Sequence, residues 1–222
     1  FKLDKKKLYD VIKKGLKILF IPNPNQPIED NFSINDLKKI CNFCRLHKCL
    51  VVIDEAYHMY GAVSAKSLCN IYDNLIVLRT FSKSFGLPSI RLGYIISNAK
   101  IIRLLETYRL SYESNFLTDT VAIYFLKNKT MVENYIKKVI NGREFVKKQL
   151  NKKGIRVYGK TSNCLLIKLP SQIQHKKITK ALSKEKIYVK SNYEGLLKDC
   201  ILITCGPVTY MKKLIKVINK NI

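Results

Sequence analysis

Short apolar runs alternate with segments of helical periodicity through the first hundred residues, and this alternation constrains the fold more than any other feature. Ser33 and Asp36 have the spacing of a helix cap, and a helical period follows to about His47. The apolar runs are too short and too continuous for surface helices, which predicts strands of a largely parallel sheet in an α/β fold. The runs are KILFIP, LVVID, NLIVLRT and LGYIIS.

The pattern changes from about Asn98, where helical segments dominate up to Gly154. Beyond Gly154, short strand-like runs alternate with helical segments, which predicts a small α+β unit. These runs are IRVY, NCLLIKL, IYVK and ILITC. We place a boundary near Asn128, so that residues 1–128 and 129–222 form two domains.

Composition predicts a soluble globular protein. Hydrophobic residues make up 47% of the chain, and no apolar run reaches the roughly 18 residues that a membrane helix needs. The chain opens with FKLDKKK, without Met or an apolar signal core, so we expect no secretory or membrane signal and some missing preceding sequence. Seven cysteines, an odd number scattered through apolar segments, fit a reducing compartment such as the cytoplasm.

The formal net charge of +25 raises the question of nucleic-acid binding. The lysines do not cluster but alternate with Ile, Leu and Asn over helical segments and loops. With no recognisable binding module, this distribution indicates solvated faces rather than a nucleic-acid or membrane surface.

Two local patterns resemble ligand sites but have the wrong context. Cys41, Cys44, His47 and Cys49 could supply zinc ligands, but the first two lie in a predicted helix and Cys49 begins a strand, so we expect no metal site. The segment 154–161 matches the phosphate-loop pattern G-x-x-x-x-G-K-T. A strand rather than a helix follows it, which argues against nucleotide binding.

Polar residues follow three of the strand-like runs, in segments 23–27, 54–57 and 80–83. Ligands of open α/β sheets bind beyond the carboxyl ends of the strands, so these segments predict the functional site. They bring together an amine at Lys83, a carboxylate at Asp54 and a phenol at Tyr57.

The motifs NPNQP, VVIDEAY, LRTFSKSFGLPSIRLGY and TSNCLLIKL, in this order, resemble those of fold-type I pyridoxal-phosphate aminotransferases. The resemblance runs from Phe1 to the end and is nearest to the histidinol-phosphate aminotransferase group. It implies an aspartate-aminotransferase-like large domain, a smaller carboxyl-terminal domain, pyridoxal 5'-phosphate as cofactor and a homodimer. It also implies that the amino-terminal part of the family fold, with its glycine-rich phosphate turn and ring-stacking aromatic residue, is absent from this sequence.

The resemblance assigns a role to each polar group. Lys83 would join covalently to the cofactor aldehyde and, once released, move the substrate proton. Asp54 would pair with the pyridinium nitrogen, and Tyr57 would hydrogen-bond the phenolic oxygen. The cofactor phosphate would be held by Thr80, Ser82 and Arg91. Where the family has Asn against the phenolic oxygen, NPNQP places Gln26, and Asn25 could substitute for it.

The family motif L-R-I-T, whose arginine grips the substrate α-carboxylate, reads ILITCGP here and places Leu202 at the arginine position. Loss of that cation should cost on the order of 3–5 kcal/mol for a substrate carboxylate. Lys190 falls where relatives have a second substrate-binding arginine. We therefore expect an aminotransferase for a small phosphorylated carbonyl or amino-alcohol compound, histidinol-phosphate-like or triose-phosphate-like, together with an amino donor.

Two alternatives remain open. The same cofactor could serve decarboxylation of an O-phospho amino acid, as in relatives of this group, and carbon dioxide release would reveal it. The chain could instead be a noncatalytic basic binding protein. A yellow preparation whose colour borohydride fixes and Lys83→Ala abolishes would favour the enzyme.

Overall fold

The computed structural model describes residues 3–222, which divide into two units. Of the described residues, unit 1 comprises 3–26 and 30–132, and unit 2 comprises 27–29 and 133–222. The strands are β1 (Ile18–Pro22), β2 (Leu50–Asp54), β3 (Leu75–Thr80), β4 (Gly93–Ser97), β5 (Arg156–Tyr158), β6 (Cys164–Lys168) and β7 (Cys200–Thr204). The helices are α1 (Lys5–Lys13), α2 (Ile34–Leu46), α3 (Ala99–Glu106), α4 (Phe116–Lys127), α5 (Lys129–Asn151), α6 (Gln172–Lys184) and α7 (Val208–Asn219). The domain boundary near Asn128 stays a prediction.

Unit 1 is built on a four-stranded sheet of order β1-β2-β3-β4. The first three strands are parallel, and β4 runs antiparallel to β3. The predicted α/β fold with a mostly parallel sheet is therefore confirmed. One face of β2 and β3 is buried under α1 and α2, where Val51, Ile53, Leu75 and Val77 join the hydrophobic core.

The start of α2 follows the sequence prediction. Ser33 accepts a hydrogen bond from the Asp36 backbone, and the Asp36 carboxylate accepts one from the Ser33 backbone. This reciprocal cap satisfies two of the amide groups left unpaired at a helix start. Helix α1 was not predicted; it begins after an Asp4 cap that accepts hydrogen bonds from Lys6 and Lys7.

Unit 2 contains the antiparallel sheet β5-β6-β7, most of α5, and the helices α6 and α7. A Cβ added at Gly142, in the middle of α5, would overlap the carbonyl oxygen of Gly206, so the helix and the chain after β7 approach at a distance that requires glycine. The predicted strand IYVK is not formed. Only Lys190 pairs, in an isolated antiparallel bridge to Leu202 of β7.

The loop that matches the phosphate-binding pattern holds a carboxylate of the protein itself. Glu29 accepts hydrogen bonds from the backbone N–H groups of Lys160, Thr161 and Ser162, at 2.7–3.2 Å, and from the hydroxyls of Thr161 and Ser162. Strand β6 follows this loop, as predicted. The segment Pro27–Glu29 therefore belongs to unit 2, although its neighbours along the chain belong to unit 1.

Within residues 3–222, no helix is long and apolar enough to cross a membrane. All seven cysteines are free and buried. No group of three metal-ligating side chains is found in this described range.

Candidate active site

The three predicted polar segments follow three neighbouring parallel strands. Pro22 lies opposite Asp54 at the ends of β1 and β2, and the Asn23 N–H donates to the Asp54 carbonyl at 2.8 Å. The end of β3 lies beside that of β2, since Asp54 is in register with Leu78. Residues 23–26, 54–57 and 80–83 of unit 1 thus share the carboxyl edge of the sheet, the edge that binds ligands in open α/β folds.

Asp54 is half-buried as the last residue of β2. Its Oδ1 accepts a hydrogen bond from the Ala56 N–H at 2.9 Å, which orients the carboxylate. Oδ2 has no hydrogen-bond partner among the described residues and is available to a donor at this edge.

Lys83 lies in the loop after β3, with an exposed side chain. Its Nζ is 5.5 Å from the centre of the Tyr57 ring, within the range of a cation–π contact. The Lys83 carbonyl accepts hydrogen bonds from the Gly86 N–H at 3.0 Å and from the hydroxyl of Tyr60 at 3.3 Å. Tyr60 is 1% exposed, so a buried ring fixes the backbone of the lysine loop.

Thr80 and Ser82 form a tight turn at the end of β3. The Thr80 hydroxyl donates to the Leu92 carbonyl at 3.3 Å and accepts from the Ser82 N–H at 3.0 Å. Arg91 is exposed and has a φ of 52°, and its Nη1 donates to the Pro88 carbonyl at 2.8 Å. The left-handed backbone at Arg91 ends the 3-10 turn Pro88–Ile90 and turns the chain into β4.

The NPNQP loop is held by Asn23. This side chain is fully buried; its Nδ2 donates to the Val63 carbonyl at 3.1 Å, and its Oδ1 accepts from the Phe32 N–H at 3.0 Å. Both bonds reach other segments of unit 1, so Asn23 fixes the loop that carries Asn25 and Gln26. The sequence analysis assigned no role to Asn23.

A second missed feature is the ion pair of Glu55 and Arg79. Glu55 Oε2 accepts hydrogen bonds from Arg79 Nε at 3.1 Å and Nη2 at 2.9 Å, and from the Ser64 hydroxyl at 2.9 Å. Its Oε1 accepts from the Ala65 N–H at 2.5 Å. The Glu55 side chain is 0% exposed and that of Arg79 is 12% exposed. Opposite charges at the ends of successive apolar runs are the sequence signal that could have revealed this pair.

His58 lies next to this ion pair, and its Nδ1 is 3.0 Å from the Glu55 carbonyl oxygen. Burial lowers the pKa of His58 below its usual range, and the positive charge of Arg79 lowers it further. The imidazole is therefore held in its neutral form.

Lys190 and Leu202 lie together in unit 2. They line a cavity of about 360 Å³ with Tyr188, Thr204 and Tyr210 among others. Lys190 is exposed, and its Nζ is 5.4 Å from the centre of the Tyr193 ring. The ammonium group thus stands beside an apolar residue at the position where the family resemblance expects an arginine.

Comparison with known proteins identifies the family. Residues 1–218 match the family model of aminotransferase class I and II. The chain belongs to this family. The family predicted from the motifs is thereby confirmed, and pyridoxal 5'-phosphate as the cofactor of this family is supported.

Two curated relatives of this chain are histidinol-phosphate aminotransferases. The chain is 34% identical over 225 residues to the histidinol-phosphate aminotransferase of Buchnera aphidicola subsp. Cinara cedri. The match covers 99% of this chain and 62% of the relative. The chain is 33% identical over 192 residues to that of Ruminiclostridium cellulolyticum, covering 86% of this chain and 52% of the relative. The chain thus spans between half and two thirds of these relatives' length.

Solved structures share the fold of this class I and II chain. The histidinol-phosphate aminotransferase from Clostridium acetobutylicum superposes with a TM-score of 0.87 at 23% identity, covering 98% of this chain and 67% of that one. A decarboxylase from Sulfurospirillum multivorans superposes with a TM-score of 0.84 at 22% identity, covering 98% of this chain and 65% of that one. At such identities the likeness establishes the fold alone.

Proposed function

We propose that this chain acts as a pyridoxal-phosphate-dependent aminotransferase with Lys83 as its covalent nucleophile. The observation that carries the proposal is the position of Lys83. It follows the last parallel strand of the sheet, its Nζ is 5.5 Å from the Tyr57 ring centre, and its loop lies at the same sheet edge as Asp54. An amine, a phenol and a carboxylate at one sheet edge match the groups of the cofactor.

The available donors and acceptors fit the cofactor on chemical grounds. When bound, pyridoxal phosphate supplies an electron sink for the bond that breaks at the substrate carbon. Asp54, whose Oδ1 accepts from Ala56, would hold the ring N–H with Oδ2, and its negative charge would keep that nitrogen protonated. Tyr57 offers its hydroxyl to the phenolic oxygen. Asn25 or Gln26, after the neighbouring strand β1, offers an amide to the same oxygen.

The phosphate would be bound beyond β3. Ser82 offers a hydroxyl, Thr80 would offer its own in exchange for its hydrogen bond to the Leu92 carbonyl, and Arg91 offers the guanidinium nitrogens that Pro88 does not occupy. Two hydroxyls and one fork-shaped cation suit a dianion.

Lys83 has two tasks in the proposed reaction. Its amine would join the cofactor aldehyde with loss of water and would be released when the substrate amine takes its place. The freed Nζ would accept the proton that leaves the substrate carbon and pass it on; release of the carbonyl product would then consume a water molecule, and transfer to the acceptor would run the same steps in reverse. The hydrogen bonds to its carbonyl from Tyr60 and Gly86 hold the loop while the side chain moves.

The substrate class follows from Leu202 and Lys190. A leucine gives no hydrogen bond to an α-carboxylate, whereas the neighbouring Lys190 ammonium suits a phosphate as a point charge. We propose a small phosphorylated substrate without an α-carboxylate, of the histidinol-phosphate kind, and the name shared by the curated relatives supports this class. A triose-phosphate-like compound is a second candidate substrate of this class. Family resemblance also leads us to expect a homodimer. The scattered cysteines lead us to expect a cytoplasmic location, and the dispersed lysines lead us to expect no nucleic-acid partner.

Cofactor uptake tests the first part of the proposal. The full-length protein mixed with pyridoxal phosphate should turn yellow, and borohydride should attach the cofactor permanently to the peptide that contains Lys83. Lys83→Ala should abolish the attachment, whereas Lys100→Ala, which removes another exposed lysine of unit 1, should not. Attachment at another lysine, or none at all, would refute the proposal.

Steady-state assays test the substrate class. With the same amino donor in every assay, a phosphorylated carbonyl compound should be used at least tenfold better than simple 2-oxo acids. Equal preference for 2-oxo acids would contradict the argument from Leu202. Carbon dioxide release from an O-phospho amino acid would instead favour decarboxylation.

A further inference from the structure

The buried ion pair between Glu55 and Arg79 links the ends of two strands that carry the proposed site. Glu55 directly follows Asp54 at the end of β2, and its N–H continues the pairing by donating to the Leu78 carbonyl at 2.9 Å. Arg79 is the second-last residue of β3, before Thr80. Each partner of the pair is therefore a direct chain neighbour of a residue proposed to bind the cofactor.

The two pairs of side chains point to opposite faces of the sheet. Side chains alternate along a strand, so Glu55 shares a face with Val51 and Ile53, and Arg79 shares it with Leu75 and Val77. That face is the buried core of unit 1. Asp54 and Thr80 belong to the other face, where both are half-buried. The ion pair thus lies on the core face at the end of the sheet, and the proposed cofactor site lies on the opposite face.

The geometry of the pair is more specific than stability requires. Two Arg79 nitrogens bond one carboxylate oxygen, and Ser64 bonds both partners: its hydroxyl donates to Glu55 and accepts from Arg79 Nη2 at 2.8 Å. A buried ion pair gives little net stability compared with apolar residues of the same size, but its fork geometry fixes distance and direction. Such a network therefore sets the relative position of the two strand ends.

We infer that Glu55 and Arg79 are positioning residues that fix the strand ends carrying Asp54 and Thr80 relative to each other, so that both could hold the cofactor at once. This inference rests on the proposed function. Neither residue touches the cofactor in this arrangement; each acts through the strand end it fixes. Misplacement of a reacting or binding group by about 1 Å is enough to cost up to about a hundredfold in rate.

Arg79→Lys tests the inference because it keeps the charge and removes the fork. We expect the full-length variant to bind pyridoxal phosphate at least about tenfold more weakly and to shift the pH midpoint of the bound cofactor's absorption, because Asp54 no longer meets the ring nitrogen squarely. The matched control is Arg143→Lys in unit 2. Arg143 is also buried, bonds a carboxylate at Glu144, and donates to the Ser162 carbonyl at 2.8 Å.

Both lysine variants should lose thermal stability, but only Arg79→Lys should change cofactor affinity and the absorption midpoint. Unchanged affinity and midpoint in Arg79→Lys, or equal changes in both variants, would overturn the inference. If Arg79→Lys does not fold, Ser64→Ala takes its place, with the helix-cap variant Ser33→Ala as its control. We then expect a change of about threefold in affinity for Ser64→Ala alone. Wild-type protein that takes up no pyridoxal phosphate would refute the proposed function itself.

Discussion

Lys190 and Leu202 exchange two backbone hydrogen bonds, Lys190 N–H to Leu202 O at 3.1 Å and Leu202 N–H to Lys190 O at 2.8 Å. Residues paired in this way lie directly opposite each other, with their side chains on the same face. The cation that the chain retains thus stands next to the position where the cation of the family motif is missing. A ligand that reaches one of these side chains reaches the other.

Leu202→Arg should restore use of 2-oxo acids. The guanidinium would bind a carboxylate through two parallel hydrogen bonds, and we expect kcat/KM for a 2-oxo acid to rise at least about tenfold. Leu202→Met is the control, since it changes the shape but adds no charge. If Leu202→Arg folds and its kcat/KM for a 2-oxo acid does not rise, the substrate carboxylate does not bind at position 202.

Lys190→Met should weaken binding of phosphorylated substrates more than binding of unphosphorylated ones. It removes the ammonium but keeps an unbranched stem, so the affinity for a phosphorylated substrate should fall by about tenfold or more while cofactor binding persists. Kinetics with the phosphorylated and unphosphorylated forms of one substrate give the measurement. Equal losses for both forms would show that Lys190 does not bind the phosphate.

Gly142→Ala should destabilise unit 2 even though alanine is the better helix former. The added Cβ would overlap the Gly206 carbonyl, and relief of that overlap by a backbone shift costs about 1–3 kcal/mol. Chemical denaturation gives the free energy of unfolding. Gly206→Ala is the matched control, because its Cβ would lie 4.0 Å from the Met211 Cε. Comparable losses in both variants would contradict the close approach.

The neutral state of His58 predicts a pH dependence of stability. Its folded pKa is lowered, first by burial and then by Arg79, so the unfolded chain binds the proton more readily than the folded chain. Stability contributed by the neutral imidazole is present above the usual pKa of 6.5 and is lost as the pH falls towards the folded pKa. Urea denaturation at a series of pH values in this range gives the free energy of unfolding at each pH. In His58→Gln this free energy should fall less steeply as the pH is lowered than in the wild type. Identical slopes would mean that other groups dominate.

Glu29→Gln should weaken the loop Lys160–Ser162. The amide nitrogen that replaces one carboxylate oxygen does not accept hydrogen bonds, and the charge that strengthens the remaining bonds is lost, which costs about 1–3 kcal/mol. Thermal denaturation measures the effect. Glu194→Gln, whose exposed side chain makes no capping hydrogen bond, should leave the melting temperature unchanged. Equal shifts would remove any special role for Glu29.

The sequence was most informative where local rules and the fold agree. The strand ends at Asp54 and Thr80 were predicted because continuous β-branched runs stop at polar residues, and parallel strands bring such ends to one edge. Helix α2 was recognisable from its Ser33 and Asp36 cap and its helical period. The roles of individual site residues stay predictions.

Features that depend on contacts between distant segments were missed. Charges at the ends of successive strands could have indicated the pairing of Glu55 with Arg79, but no local pattern indicates that Ser64 joins them or that Tyr60 bonds the Lys83 carbonyl. The run IYVK was predicted as a strand from its β-branched and aromatic residues, but Tyr188 is 82% exposed and only Lys190 pairs with β7. Strand propensity needs a partner over several residues, and the sequence does not reveal its absence.

Because Pro27–Glu29 belongs to unit 2, this unit cannot be expressed separately as one continuous stretch of the chain. A fragment that begins at Glu133 would lack Glu29 and leave the amides and hydroxyls of the loop Lys160–Ser162 without the carboxylate that accepts from them. The second unit is therefore discontinuous in the gene, interrupted by residues 30–132. To express unit 2 by itself, the codons for Pro27–Glu29 would have to be fused to those for the carboxyl-terminal portion.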